Sequence, residues 1–248
     1  MTIAIVAAMS EELAPLRARL IAPARTSRGA VVVERGRLGG REVAVAETGD
    51  GARNARAGVE ALLATSTPEA LIVLGVSGAL SPELGTADLV VATRVTDEDG
   101  AVHEADATWV AAAARATGGR PAIVVSARRI ADSAEEKRRL ARCAGPGLAL
   151  VDLESAAYVA AARARAIPWL VLRAVSDRAD ENLPALLNRS LDAGGAVNRG
   201  RVLRGLLGDP GALPQLLALR KRVGRCALVL ARAAEAALPA LALAQGAA

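Results

Sequence analysis

Acidic side chains stand at three places where a strongly apolar run gives way to a polar one. The first run, residues 2–7, leads into Met9-Ser-Glu-Glu and puts Glu11 and Glu12 just beyond it. The second, residues 148–151, is followed by Asp152-Leu153-Glu154-Ser155, and the third, residues 169–175, by Ser176-Asp177. A carboxylate sheltered from water can take a proton from an attacking water or give one to a leaving group. At each place a structural role competes. Ser10 suits a helix N-cap, with Glu11 and Glu12 in the first turn where the helix dipole favours negative charge. Asp152, Ser155 and Asp177 could likewise cap a helix or a turn. Acids at three strand exits nevertheless predict one carboxylate-lined cleft, better suited to sugar hydroxyls and a protonated leaving group than to an anion.

Such a cleft needs a sheet whose strand ends converge. β-Branched apolar runs at 2–7, 30–34, 42–47, 70–74, 88–93, 122–125, 148–151 and 169–175 read as strands. Helical periodicity covers 11–20, 52–64, 107–116, 134–143, 155–166, 199–207 and 213–237. With 248 residues, 52% of them apolar, the chain can bury one sizeable core. The pattern predicts a single α/β domain over residues 1–248, built on a twisted mixed β-sheet, largely parallel, flanked by helices. Residues 30–34 and 42–47, joined by Arg-Gly-Arg-Leu-Gly-Gly, read as an antiparallel hairpin inserted early.

Two glycine-rich segments lie between these elements. Glu47-Thr-Gly-Asp-Gly-Ala-Arg-Asn half-matches a dinucleotide-binding turn, but Asn54 stands where glycine is needed and the next strand ends without an acid for a ribose. Leu71-Ile-Val-Leu-Gly-Val-Ser-Gly reads as a buried strand ending in a Gly-x-x-Gly turn. Small residues there let a ligand approach the backbone, and a tight turn without a ligand reads equally well.

In order and spacing these segments resemble the purine nucleoside phosphorylase/uridine phosphorylase superfamily. Over residues 1–182, Ile-Val-Ala-Ala-Met-Ser-Glu-Glu, Thr-Gly-Asp-Gly-Ala-Arg-Asn-Ala, Gly-Val-Ser-Gly-Ala-Leu, Val-Asp-Leu-Glu-Ser and Arg-Ala-Val-Ser-Asp look most like methylthioadenosine/S-adenosylhomocysteine nucleosidase. The C-terminal part, with Arg201-Val-Leu-Arg-Gly-Leu-Leu-Gly-Asp-Pro, is similar to hopanoid-associated phosphorylase-like proteins, implicated in removing adenine from adenosylhopane. The resemblance implies the nucleoside phosphorylase fold and an N-ribosyl hydrolase acting on a 5′-modified adenine nucleoside. It implies that Glu12 activates the attacking water, that Glu154 holds the ribose hydroxyls with Asp152 and Leu153 beside it, and that Asp177, supported by Ser176, gives or shares a proton with the purine. Gly75, Ser77 and Gly78 would admit the ligand near the backbone. Ile130 stands near the place of an aromatic that often stacks on the base. No metal or cofactor is implied, and the enzyme is expected to be a cytoplasmic homodimer.

The chain departs from the phosphorylase pattern at its phosphate site. Where those enzymes place an arginine and, three residues later, a serine, this chain has Val73 and Val76. Without a cation or hydroxyl there a phosphate dianion is poorly held, so water is the expected nucleophile. Arg53, Arg128 or Arg129 could substitute, which leaves a phosphate-dependent phosphorylase as one alternative and a non-catalytic nucleoside-binding protein as another.

Composition excludes several other classes. The net charge is +5 and the isoelectric point is near 10.1. Yet residues 1–180 carry 22 basic and 22 acidic side chains, while residues 181–248 carry 9 and 4. The excess is confined to the tail and the chain has only three aromatic residues, Trp109, Tyr158 and Trp169, which argues against a nucleic-acid partner. One histidine, His103, and two distant cysteines, Cys143 and Cys226, make neither a zinc site nor a disulfide framework. Met1-Thr-Ile-Ala-Ile-Val lacks the basic residues of a secretion signal. The basic amphipathic segment at about 199–240 reads as a helix packing one face on the body, or as one making peripheral contact with a membrane that supplies a lipid-linked nucleoside.

Overall fold

The computed structural model describes residues 2–28, 31–192 and 197–245. In chain order the elements are β1 (Thr2–Ala7), α1 (Ser10–Arg17), β2 (Ile21–Arg28), β3 (Val31–Leu38), β4 (Arg41–Glu47), α2 (Ala52–Thr65), β5 (Ala70–Ala79), β6 (Leu89–Asp97), β7 (Val102–Glu104) and α3 (Ala107–Thr117). They continue with β8 (Arg120–Ser126), α4 (Ala134–Ala144), β9 (Ala149–Asp152), α5 (Ser155–Arg163), β10 (Trp169–Asp177), α6 (Leu186–Arg189), α7 (Arg199–Gly208) and α8 (Ala212–Gln245). The ten strands form one mixed sheet flanked by helices.

Five strands close on themselves. β5 pairs with β10, β10 with β6, β6 with β8, β8 with β9, and β9 returns to β5. The remaining path, β1-β4-β3-β2, extends from the free edge of β5. Parallel pairs (β1–β4, β1–β5, β5–β10, β6–β8, β8–β9) are balanced by antiparallel ones (β10–β6, β5–β9, β2–β3, β3–β4, β6–β7). The sheet is therefore mixed as expected, but less dominated by parallel pairs than its apolar runs foretold.

The junction that matters lies on β5. Along one edge it pairs with β1 through Ala70–Val73 and then with β9 at Gly78 and Ala79. Between those partners the edge opens at Leu74–Ser77, a change of neighbour of the kind at which α/β sheets hold ligands. The expected turn at Gly75-Val-Ser-Gly is absent, because β5 continues through it. Instead, a Cβ built on Gly75 would stand 1.6 Å from Arg173 Nη1, and one on Gly78 would lie 2.9 Å from Asp177 Oδ2. These glycines let β5 continue while side chains of the neighbouring β10 lie across it.

The early hairpin is present as β3–β4, but its turn is Gly39-Gly40, both at positive φ as a two-residue hairpin turn requires. Its expected first residue, Ala30, lies outside the described residues. A further antiparallel strand, β2, pairs with β3 beyond it. Its sequence, Ile-Ala-Pro-Ala-Arg-Thr-Ser-Arg, is polar and carries Pro23, which an edge strand tolerates.

α8 changes character along its length. Its second half buries Cys226, Leu230, Ala231, Ala234, Ala237, Leu238 and Leu241 in the cluster that also holds Leu13, Leu16, Trp109 and Leu172. Its first half is largely exposed and directs Leu219 and Val223, four residues apart on one face, into the cavity described below. No helix among the described residues is long and apolar enough to cross a membrane. Since Leu230 is fully buried, Leu230→Ala should cost about 3 kcal/mol of stability through lost burial and a residual cavity. Urea unfolding checks this: a midpoint shift at unchanged slope is expected, and an unchanged midpoint would mean that α8 is not part of the folding core.

Candidate active site

A cavity of about 350 Å³ opens where β5 changes partners. Its acidic lining is Glu11, Glu12, Asp50, Asp152, Glu154 and Asp177, and among the described residues none of the side chains lining it is basic. Of the residues expected from sequence, Glu12, Ser77, Gly78, Ile130, Asp152, Leu153, Glu154, Ser176 and Asp177 all border this space. Gly75 does not. It lies behind the cavity wall, and the space over its Cα belongs to Arg173 rather than to a ligand.

Glu12 is placed by the start of α1. Met9, not Ser10, is the N-cap, and Ser10 is the first helical residue, its hydroxyl accepting from Arg17 at 3.0 Å. Glu12 therefore falls at the third helical position, from which its Oε2 reaches back to accept the Met9 N–H at 3.0 Å. Its Oε1 accepts the Val76 N–H at 2.8 Å, a donor left free where β5 lies between its two edge partners. Burial pushes the Glu12 carboxyl up to about 7, against the opposing pull of Arg173 and these two N–H groups.

Behind the cavity sits Arg173, a residue missed in the sequence reading. It is buried at the centre of β10, with Nη2 2.5 Å from Asp152 Oδ2 and 2.8 Å from the Ser155 hydroxyl. Asp152 Oδ1 accepts from the Ser126 hydroxyl at 2.7 Å, which ties the end of β9 to the end of β8. Glu154 Oε1 accepts the Gly51 N–H at 2.8 Å, and Gly51 has the positive φ that lets the loop before α2 turn this donor inward. Burial, and then the neighbouring Asp152, push Glu154 up to about 8, while Arg173 pulls it down. One signal was available in the sequence: a lone arginine inside Trp-Leu-Val-Leu-Arg-Ala-Val must find acids wherever that strand is buried.

Asp177 closes β10 and pairs with a second overlooked cation. Lys137, on α4, places its Nζ 2.5 Å from Asp177 Oδ2, and both side chains are buried. The Ser176 hydroxyl lies 2.6 Å from Asp177 Oδ1. Here the signal was the buried stripe Lys137, Leu140, Ala144, which puts the lysine on the inward face of its helix.

The remaining wall is aliphatic. Ile130, Leu153, Leu183, Leu187, Val197, Leu219 and Val223 form it. The carboxamide of Asn188 on α6 meets both backbone groups of Ile130, accepting its N–H at 3.1 Å and donating to its carbonyl at 2.7 Å. The hydroxyl of Ser77 is buried at the cavity edge with no hydrogen-bond partner among the described residues. Val73 is buried within β5, and Val76 meets the cavity with an apolar side chain. The arginines considered as substitutes lie elsewhere: Arg53 and Arg129 are exposed, and Arg128 is exposed in an ion pair with Asp99. His103 is engaged with Arg163 at 2.7 Å and does not border the cavity.

With this geometry the chain belongs to the phosphorylase superfamily, whose pattern matches residues 2–196. It is 27% identical to the 5′-methylthioadenosine/S-adenosylhomocysteine nucleosidase of Haemophilus influenzae, over 206 residues covering 73% of this chain and 87% of that protein. The same identity holds with the nucleosidase of Anoxybacillus flavithermus, covering 71% and 85%. The fold matches that of the Neisseria meningitidis nucleosidase crystallised with methylthio-immucillin-A, with a TM-score of 0.76, 21% identity and coverage of 96% and 98%. It also matches futalosine hydrolase of Helicobacter pylori, with a TM-score of 0.75, 18% identity and coverage of 96% and 97%.

The buried acids make a stability prediction. A carboxyl raised to about 8 in the folded protein binds its proton more tightly than in the unfolded chain, so folding loses stability as pH rises from about 4.5 towards 8. Glu154→Gln keeps an acceptor for Gly51 and removes the ionisation. It should melt at a higher temperature than the parent at pH 9 and show no advantage at pH 4. A difference independent of pH would mean that Glu154 is ionised as readily in the folded chain as in the unfolded one.

Proposed function

We propose that this protein is an N-ribosyl hydrolase, cleaving the glycosidic bond of a purine nucleoside modified on its 5′ side, with adenine as the base. The observation that carries this reading is the cavity lining: carboxylates and hydroxyls face it, and among the described residues no basic side chain does. Glu12 takes a proton from water, whose oxygen attacks the ribose carbon. Glu154 accepts hydrogen bonds from the ribose hydroxyls. As the bond to the base breaks, positive charge builds on the sugar, where the surrounding carboxylates stabilise it. Asp177 delivers the proton that lets the base leave neutral, with Ser176 beside it, and Ser77 offers a free hydroxyl to the bound nucleoside. Phosphate is the less suitable nucleophile, because a dianion would meet acidic side chains while Arg173 and Lys137, the cations that pair with two of them, lie behind the lining.

The aliphatic wall running out to Leu219 and Val223 of α8 supports a 5′ substituent that is apolar. A lipid-linked nucleoside, the substrate implied by the hopanoid-associated resemblance, is the long end of that series. In that case the exposed first half of α8, with Arg220, Lys221 and Arg225, is the part that would meet a membrane surface. The same reading carries a cytoplasmic, homodimeric enzyme, and gel filtration tests the second property.

The deciding assay measures adenine release from methylthioadenosine, S-adenosylhomocysteine, adenosine and a 5′-alkyl adenosine, with and without phosphate. Release independent of phosphate is expected, reduced by roughly 100-fold or more in Glu12→Gln and in Asp177→Asn. Release only with phosphate would establish a phosphorylase, and binding without release a nucleoside-binding protein.

The pH profile makes a separate prediction. Glu12 works as a base only when ionised, so kcat/KM should rise with pH through about 7. A rate already flat from pH 5 upwards would mean that the catalytic base does not titrate near neutrality, contrary to the raised Glu12 carboxyl.

A further inference from the structure

Lys137 is a buried cation with no part in the proposed reaction. An ammonium withdrawn from water needs acceptors for its three protons. Lys137 has three: Asp177 Oδ2 at 2.5 Å, the Arg178 carbonyl at 2.6 Å and the Glu181 carbonyl at 2.9 Å. Both carbonyls belong to the segment that follows β10, so one side chain fixes the acid and the backbone leading away from it. Lys137 does not border the cavity and reaches it only through Asp177. The other oxygen of Asp177 is already met by Ser176. The remaining titratable groups around the pair are Glu181, ion-paired with Arg222 at 2.6 Å, and Cys226 of α8. Arg178 turns away to Asp180 at the surface.

We infer that Lys137 is a positioning residue for leaving-group protonation: it orients Asp177 and holds the proton that Asp177 delivers to the base. The inference rests on the nucleosidase reading. As the glycosidic bond breaks, its electron pair stays with the base. A nitrogen of the base takes a proton from Asp177, which takes one from Lys137, leaving a carboxylate and a neutral amine. The attacking water gives its oxygen to the ribose carbon and a proton to Glu12, and that proton returns through solvent in the cavity and Asp177 to Lys137. Water adds across the bond, and nothing is oxidised or reduced. At rest the pair carries no net charge, which suits its burial, and the proton sits one hydrogen bond behind the atom that must donate it.

The test compares the parent with Lys137→Met, Asp177→Asn and the double variant, on methylthioadenosine and on a riboside whose 4-nitrophenolate departs without a proton. Lys137→Met should lower kcat on methylthioadenosine by about 100-fold with KM within about threefold, and leave nitrophenyl riboside cleavage within about fivefold. In the Asp177→Asn background it should cost less than about threefold, because its route to the base is already cut. Equal losses on both substrates, losses that multiply in the double variant, or an unchanged kcat would overturn the inference. Should Lys137→Met alone fail to fold, the comparison of the double variant with Asp177→Asn, in which no buried carboxylate is left unpaired, decides it. The same comparison decides it if the parent does not cleave the nitrophenyl riboside. An inactive parent would overturn the nucleosidase reading itself, whereas an active parent with an insensitive Lys137→Met overturns only this inference.

Discussion

A guanidinium buried in the middle of a sheet imposes conditions on everything around it. Arg173 lies between β5 and β6 in register with Gly75 and Val90, where no water can solvate its charge. Uncompensated, such a charge would be strongly destabilising, so the fold must bring acceptors to it from separate parts of the chain. Asp152 and Ser155 come from the end of β9 and the start of α5, and the carboxylates of Glu12 and Glu154 complete its electrostatic surroundings. Gly75 is the steric counterpart, since any side chain there would occupy the volume of the guanidinium. Three acids around one cation leave an excess of negative charge. That imbalance, added to burial, is why Glu12 and Glu154 are held near neutrality rather than near 4.5.

The topology explains why this cluster faces a cavity and not a packed core. β5 cannot pair with β1 and β9 along the same stretch of edge, and the change of partner leaves a few residues whose backbone groups need other company. Val76 finds it in Glu12, so one hydrogen bond both satisfies the strand and aims the acid. The five-strand ring brings the ends of β5, β8, β9 and β10 to one place, where Ser126, Asp152 and Asp177 gather. α6 and α8 supply the aliphatic side of the same space. The helical tail is therefore both core and cavity wall, which ties the integrity of the site to the C-terminal half of the chain.

The acids were legible in the sequence because each ends a run too apolar to be anything but a buried strand. β1 was readable to the residue for the same reason. Their cations were harder to see. Arg173 looks like an interruption of a strand, and Lys137 like one more charge among Glu135, Glu136, Arg138 and Arg139; only its spacing to Leu140 marks it as inward. The Gly75-to-Gly78 segment was misread as a turn because glycine commonly marks turns, whereas here its role is to make room for side chains of a neighbouring strand. Pairings such as β5–β9 and the closure of the ring depend on contacts distant in sequence, which local periodicity does not report. β2 and α6 escaped for a local reason, being too polar or too short to carry a pattern.

The two buried cations divide the chemistry of the site between them. Arg173 is ion-paired with Asp152, hydrogen-bonded to Ser155 and not among the residues bordering the cavity, so its charge steadies the neighbouring carboxylates. Lys137 is committed to one acid and two carbonyls and reaches the cavity only through that acid. Between them the cavity is left with acidic groups and hydroxyls on one side and hydrocarbon on the other. A neutral ligand that becomes cationic as it reacts fits this field throughout the reaction, whereas a phosphate dianion would have to enter against it. The proposed activation of water by Glu12 therefore rests on this charge distribution and not on any single residue.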